Sequence, residues 1–244
     1  MINKVSIIIT TLNSSKVIRN ILESLSCQTT TDFDLIIIDG GSTDDTIQII
    51  NKYKIVSRLI IKEGLSIYEG INLGISLCKT QYYLVCGSDD ELYPNAIETI
   101  LNRIQSNADL YIFSVYLGDK LVRGNQPTLI NRIKGWQSII TSHSVGTVIK
   151  RNLHETLGYY ETKIPILADG LFLSKLLNNK KYSKFISEEI IGNFGMQGTS
   201  SKNYYNNIFT TFIIQCKFYN FYIQLVILLY RLMKYRKQLI YNND

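Results

Sequence analysis

Proline is scarce in this chain, three residues in 244, and charged residues make up only 19% against 45% hydrophobic. So few backbone breakers beside so large an apolar share exclude a disordered or fibrous chain and leave room for one substantial core. The four cysteines, Cys27, Cys78, Cys86 and Cys216, lie far apart and form no C-x-x-C pair. That counts against sulfur ligation of a metal, and scattered reduced thiols suit a cytoplasmic protein. The first apolar run, in MINKVSIIITTLN, covers about five residues before the threonines, short of the roughly 7–15 of a secretory signal. A G-x-G-x-x-G fingerprint is missing throughout, as are internal repeats and low-complexity segments, so a dinucleotide-binding reading has no support.

What charge there is sits unevenly. Of the net +6, residues 201–244 carry Lys202, Lys217, Arg231, Lys234, Arg236 and Lys237 against Asp244 alone. A nucleic-acid binder would stripe its basic residues over the folded body. An excess confined to a tail points to a surface contact, with no nucleic-acid partner.

The first hundred residues alternate two periodicities. Val5–Thr10, Asp34–Asp39, Arg58–Ile61 and Tyr82–Cys86 read as buried strands, with helical spacing over Lys16–Ser26, Thr43–Tyr53 and Ile67–Cys78 between them. Ser42 or Thr43 is the expected cap of the second helix, and Pro94 suits the first turn of a fourth. Strand and helix in alternation predict an α/β protein with a mostly parallel, doubly wound sheet. The second half is less regular, with strands expected at Asp109–Leu117, Gly146–Lys150 and Ile186–Phe194 and a helix at Ala168–Leu177. No linker divides the chain.

In open α/β sheets ligands bind beyond the carboxyl ends of the strands. Thr11 and Asn13 follow the first strand, Asp39 ends the second, and Ser88-Asp89-Asp90 follow the fourth, so all should meet at one crevice. Adjacent carboxylates repel and are costly to desolvate, and a hard divalent cation, Mg²⁺ or Mn²⁺, offsets that by taking oxygen ligands. Alone, the pair reads equally as solvated acids before a helix. Asp39-Gly40-Gly41-Ser42 can hold a ring N–H or a sugar hydroxyl, with glycines admitting a ligand to the backbone, or it is a plain strand–turn–helix joint.

Taken together, VSIIITTLNSS, DLIIIDGGSTDDT, IYEGINLGI and YLVCGSDDELYPNAI resemble, in order and separation, family-2 glycosyltransferases of the GT-A fold, nearest to the bacterial surface-polysaccharide branch. The resemblance covers residues 4–105 and extends more loosely to about Ser200. It implies a nucleotide-sugar donor half over residues 1–105, an acceptor and catalytic-base half over 106–200, and a C-terminal amphipathic helical tail over 201–244. Thr11, Asn13 and Gly41 would line the nucleotide pocket and Asp39 would read the base, commonly uracil. Asp89 would lie near ribose and metal, and Asp90 would be the metal acid of the family's D-x-D element, where Ser88 stands for the first aspartate. Asn72 is retained from a donor-contacting stretch from which Gly64, Ser66 and Leu73 depart.

The family inverts configuration, so the resemblance also implies a carboxylate base. Asp169 fits the acid that opens a helix in the acceptor region, with Glu161 the alternative and simple helix capping the bland reading of Asp169. His143 falls where relatives carry a histidine, against donor phosphate, in support of the base, or in a structural hydrogen bond. His154 reads as a surface residue. Trp136 reads as a sugar platform or as core, and the Gly-rich stretch Phe194–Ser200 as a loop over the diphosphate.

Between Lys217 and Arg231 lie thirteen uncharged residues, too few for the roughly 20 that cross a bilayer. The aromatic, basic tail therefore reads as a helix on the inner face of the cell membrane, or as one packed on the body. The membrane reading makes a polyprenyl-diphosphate-linked saccharide the expected acceptor. Beside a transferase, the residues leave open an inactive nucleotide-sugar-binding subunit and, less readily, a nucleotidyltransferase.

Overall fold

The structure, a computed structural model, describes residues 5–142, 144–195 and 204–235, with the side chains of 204 and 205 left aside. The apolar runs of the first half form β1 (Val5–Thr11), β2 (Phe33–Asp39), β3 (Val56–Ile61) and β4 (Tyr82–Cys86). These strands lie parallel in the order β3-β2-β1-β4. Between them run α1 (Ile18–Ser26), α2 (Thr46–Ile50) and α3 (Ile67–Leu77). Successive β1 side chains point to opposite faces. Ile7 and Ile9 join Ile21, Leu22 and Leu25 of α1 in one apolar layer; Ile8 joins Ile71 and Ile75 of α3 in the other. Burial on both faces is why these strands read as unbroken apolar runs.

α3 presses unusually close to the sheet. A Cβ at Gly70 would stand 2.9 Å from Thr10 Cγ2, and one at Gly74 would stand 2.5 Å from Ile8 Cγ2. Only hydrogen fits at either position. The helix starts from a capping box in which Ser66 Oγ accepts the Glu69 N–H and Glu69 Oε2 accepts the Ser66 N–H at 2.8 Å.

The second half supplies β5 (Glu91–Leu92), α4 (Ala96–Ile104), β6 (Leu110–Leu117), β7 (Lys120–Val122), α5 (Leu129–Lys134), β8 (Thr147–Lys150), α6 (Leu153–Leu157), α7 (Ala168–Asn178) and β9 (Lys184–Phe194). The described sheet runs β3-β2-β1-β4-β8-β6-β9-β5, with β7 paired to β6. The parallel expectation describes the first half and the β6–β9 pair, but β8 is antiparallel to both β4 and β6. The chain leaves β6 and re-enters at β8 from the same edge. No crossover helix is needed, so the return strand must run backwards.

α2 is shorter than the helix expected over Thr43–Tyr53. Ser42 does not cap it, because the helix starts only at Thr46 and the Ser42 hydroxyl oxygen instead accepts the Asn13 N–H at 2.8 Å. The N-cap position is Asp45, and Asp44 just before it accepts the Thr46 N–H at 3.0 Å.

The tail is a pair of helices, α8 (Tyr204–Cys216) and α9 (Phe221–Lys234). Its inner side is docked on the body. Gln224 Nε2 donates to the Ile133 carbonyl at 2.9 Å, Tyr219 donates to Asn178 and Arg231 to the Lys134 carbonyl. Buried Gln215, with its amide oxygen turned inward, accepts the N–H groups of Gly135 at 3.0 Å and Trp136 at 3.3 Å. Its outer side is bare: Tyr222, Val226, Leu229, Tyr230 and Met233 are all more than half exposed. Among the described residues no helix is long and apolar enough to cross a membrane.

Candidate active site

The acids that end neighbouring strands do converge. Thr11 and Asp39 are register partners at the tips of β1 and β2, and Gly40 N–H donates to the Thr11 carbonyl at 2.9 Å. β4 flanks β1 on the other side, with Ile9 opposite Cys86, and Ser88 Oγ donates to Ser14 Oγ at 3.2 Å. One edge thus carries Thr11, Asn13, Asp39, Asp89 and Asp90.

Most of these polar groups are engaged in building that edge. Asp39 is fully buried; Oδ1 accepts the N–H of Gly41 at 2.9 Å and of Ser42 at 2.7 Å, and Oδ2 accepts the Ser42 hydroxyl. An ionised carboxylate has about four acceptor sites, so a base N–H would be its fourth donor. Asn13, at φ 50° in the left-handed region, accepts the Thr43 N–H at 2.9 Å and gives its own N–H to Ser42 Oγ at 2.8 Å. Asp44 Oδ2 accepts the Ser15 N–H at 3.1 Å. Ser42, expected as a cap, and Ser14 and Asp44, not singled out in the sequence, tie the β1 loop to the β2 loop. Gly41 has a reason other than ligand access: its φ is 96°, and a Cβ there would meet Glu63 Cγ at 2.6 Å. The Thr11 hydroxyl is buried without a hydrogen-bond partner on this edge.

The two aspartates after β4 differ sharply. Asp90 is 1% exposed. Its Oδ2 accepts the Gly87 N–H at 2.6 Å, and its Oδ1 accepts the Gly195 N–H at 2.7 Å. Burial and the nearby Asp89 carboxylate push Asp90 up to about 7 against the pull of those two donors. Asp90 therefore closes a loop and joins it to the end of β9, with one N–H on each carboxylate oxygen. Asp89 is the half-exposed member of the pair. Gly195 lies directly against it, since a Cβ there would stand 2.3 Å from Asp89 Cγ.

Asp169 reaches the same edge from the second half. It lies in the first turn of α7, just after Leu167, whose φ of 68° places a non-glycine residue in the left-handed region. The helix has no side-chain cap; the carboxyl is held by Tyr68, whose hydroxyl donates to Oδ1 at 2.7 Å. Tyr68 sits in the first turn of α3, beside the Gly70 contact with Thr10, which fixes Asp169 near the β1 tip. Burial pushes the Asp169 carboxyl up, while the Tyr68 hydroxyl and the first-turn N–H groups pull it down. Glu161 is exposed, and its carboxylate accepts the Lys163 N–H at 3.3 Å in a local turn.

Asn72, expected on the donor, is turned to the protein. Its Nδ2 donates to the Tyr160 carbonyl at 2.8 Å and its Oδ1 accepts the Tyr160 N–H at 3.0 Å. His154 is no surface residue: it is 4% exposed and stacks on Phe172 at 4.5 Å. Nδ1 faces the Gly158 carbonyl at 3.1 Å, so the proton belongs there, and Nε2 accepts the Tyr83 hydroxyl at 2.6 Å. Tyr83 in turn accepts from Tyr160 at 2.8 Å. Burial lowers His154 to about 4, leaving it neutral. Trp136 is core, with its indole edge against Gly170. His143 and residues 196–200 of the Gly-rich stretch lie outside the described residues.

Comparison with known proteins gives this arrangement its class. S. aureus TarS 1-349 in complex with UDP-GlcNAc superposes with a TM-score of 0.69 at 19% identity, over 95% of this chain and 73% of that one. The mannosyltransferase PcManGT from Pyrobaculum calidifontis, in complex with GDP-Man and Mn²⁺, gives 0.62 at 13% identity over 96% and 75%. The fold is that of GT-A glycosyltransferases. In sequence, the PGL/p-HBAD biosynthesis glycosyltransferase of Mycobacterium bovis (strain BCG / Pasteur 1173P2) is 30% identical over 181 residues, 71% of this chain and 70% of the relative. Chondroitin synthase of Escherichia coli is 33% identical over 135 residues, 54% of this chain and 19% of that enzyme. The description "Glycosyl transferase family 2" matches residues 6–164. The chain belongs to glycosyltransferase family 2 and is a transferase.

Proposed function

We propose that this chain is an inverting, metal-dependent transferase that moves a hexose or N-acetylhexosamine from a UDP-sugar to a hydroxyl of a lipid-linked saccharide, in making a cell-surface polysaccharide. The observation that carries the reading is the carboxylate of Asp169, partly buried and held at 2.7 Å by Tyr68 of α3, the helix that packs on the strands ending in Thr11 and Asp39. A neighbour of the same fold is titled as a complex with UDP-GlcNAc, which favours a uridine donor.

In this reading the β1 and β2 loops receive the nucleotide. Asp169 takes the proton of the acceptor hydroxyl while that oxygen bonds to the anomeric carbon. The bond from that carbon to the diphosphate breaks on the opposite face, and UDP leaves. A hard cation fits the oxygen donors of the edge. Among the described residues no group of three His, Cys, Asp or Glu side chains gathers, as suits Mn²⁺ or Mg²⁺ that takes its other ligands from diphosphate and water. Asp89 is the residue we assign to hold it, because both oxygens of Asp90 serve the backbone. The bound ion supplies positive charge for the departing diphosphate.

The bare outer side of α9, beside exposed Leu129 and Ile130 on α5 and exposed Lys134, Lys217 and Lys234, suits an anionic lipid surface. The enzyme would then work peripherally at the cytoplasmic face of the cell membrane, where a polyprenyl-diphosphate-linked acceptor resides. Melting curves with UDP-hexoses and Mn²⁺ test the core of the reading. A donor at a hundred times its Kd should add about 2.7 kcal/mol of stability. That gain should vanish in Asp89→Ala, and slow release of UDP should distinguish a transferase from an inactive binder. Absence of any shift with any UDP-sugar, with or without metal, overturns it.

A further inference from the structure

We propose that Tyr68 is a positioning residue for the catalytic base, setting both the plane and the proton affinity of the Asp169 carboxylate. The inference rests on the reading of Asp169 as that base. It comes from the side-chain hydrogen bond that the Asp169 carboxyl receives, among the described residues, from the Tyr68 hydroxyl at 2.7 Å across 101 residues of chain. A half-buried acid in an apolar setting gains protons and becomes a poor base. A donated hydrogen bond reverses part of that loss, because it favours the charged form. The donor must keep its own proton throughout. Burial and the adjacent carboxylate raise the Tyr68 phenol well above its ordinary range, so it donates and never competes.

The placement of Tyr68 is itself determined. Gly70 and Gly74 hold α3 against Thr10 and Ile8 of β1. Four residues on from Tyr68, Asn72 clamps the Tyr160 main chain through two bonds, and the Tyr68 ring meets the Tyr160 ring edge-on at 5.8 Å. α3 thus carries the β1 tip, where the nucleotide is received, and the base of the second half on one rigid element. With Oδ1 fixed, Oδ2 is the oxygen that takes the acceptor proton. The titratable groups around Asp169 are the phenols of Tyr68 from α3 and Tyr160 from the segment before α7, with Tyr83 of β4 one step behind, its hydroxyl bonded to Tyr160 and His154 and not to Asp169. All three are raised by burial, so none of them titrates where Asp169 does.

The test is the pH profile of kcat/KM for Tyr68→Phe beside Tyr83→Phe, which deletes a hydroxyl from the same aromatic cluster without touching Asp169. A hydrogen bond to a charged group changes the equilibrium about ten- to a hundredfold. The acid limb of Tyr68→Phe should therefore move up by about one to two pH units. On the acid side of the wild-type limb activity should fall about ten- to a hundredfold, and well above both limbs it should recover toward wild type, with an unchanged KM for donor. Tyr83→Phe should keep the wild-type limb. Asp90 is common to all three proteins, so whatever it contributes to the profile cancels in the comparison. A uniform loss at every pH, or a profile superimposable on wild type, overturns the proposal while an inactive Asp169→Asn keeps the base reading intact. An active Asp169→Asn removes both. Should Tyr68→Phe fail to fold, 3-fluorotyrosine at position 68 alone serves: a more acidic phenol donates more strongly, and the limb must move down in pH for the proposal to stand.

Discussion

The nucleotide edge and the helical tail dispose of their side chains in opposite ways. At the edge, apolar residues are inside and even the acids are turned inward: Ile8 has no exposed surface and Asp90 has 1%. On α9, buried Gln224 faces the body while Val226 is 67% exposed and Met233 66%. The inner side of α9 also buries Leu228 against Ile208 of α8, so the exposed apolar residues are surplus to the packing of the tail on the body. The edge is completed by its own chain; the outer side of α9 leaves apolar surface in water, which costs free energy.

Three variants sharpen or break that contrast. Asp90→Ala should be the most costly, because it strands the N–H groups of Gly87 and Gly195. A loss of about 3 kcal/mol is expected from chemical denaturation; a wild-type midpoint would show that the loops find other partners. Gly74→Ala comes next. Its new methyl carbon would stand 2.5 Å from Ile8 Cγ2, and such overpacking costs about 1–3 kcal/mol. A neutral result would mean that α3 can lift off the sheet. The smallest effect on stability belongs to the double change Val226→Ser and Leu229→Ser, within about 0.5 kcal/mol. Yet that variant should lose co-sedimentation with phosphatidylserine-containing vesicles. Undiminished binding would remove the lipid surface from the account, and a large destabilisation would show that the exposed stripe is packing after all.

The strands and the acids at their tips were legible because both follow from local pattern: β-branched runs of strand length, each ending in a polar residue. The use made of those acids was not. Asp90 meets Gly195 across 105 residues of chain, and nothing near either position announces the bond. His154 looked exposed because α6 is a five-residue helix, too short for periodicity to tell an inner face from an outer one. The reversed course of β8 depends on which edge the chain returns to, which a four-residue strand does not encode. Tyr68 and Asn72 did carry a signal. They stand four apart on α3, and on a helix that spacing puts them on one face, here the face toward Tyr160 and Asp169.

The hydrogen-only contacts of Gly70 and Gly74 have an evolutionary consequence. A spacer without side chains has no size left to tune, so α3 and the strand beneath it form a fixed gauge block on which the rest of the cleft is measured. Descendants of this chain that come to accept a different sugar or acceptor must diversify elsewhere, for instance in the largely exposed stretch 161–166, which can lengthen or change residue without moving that block.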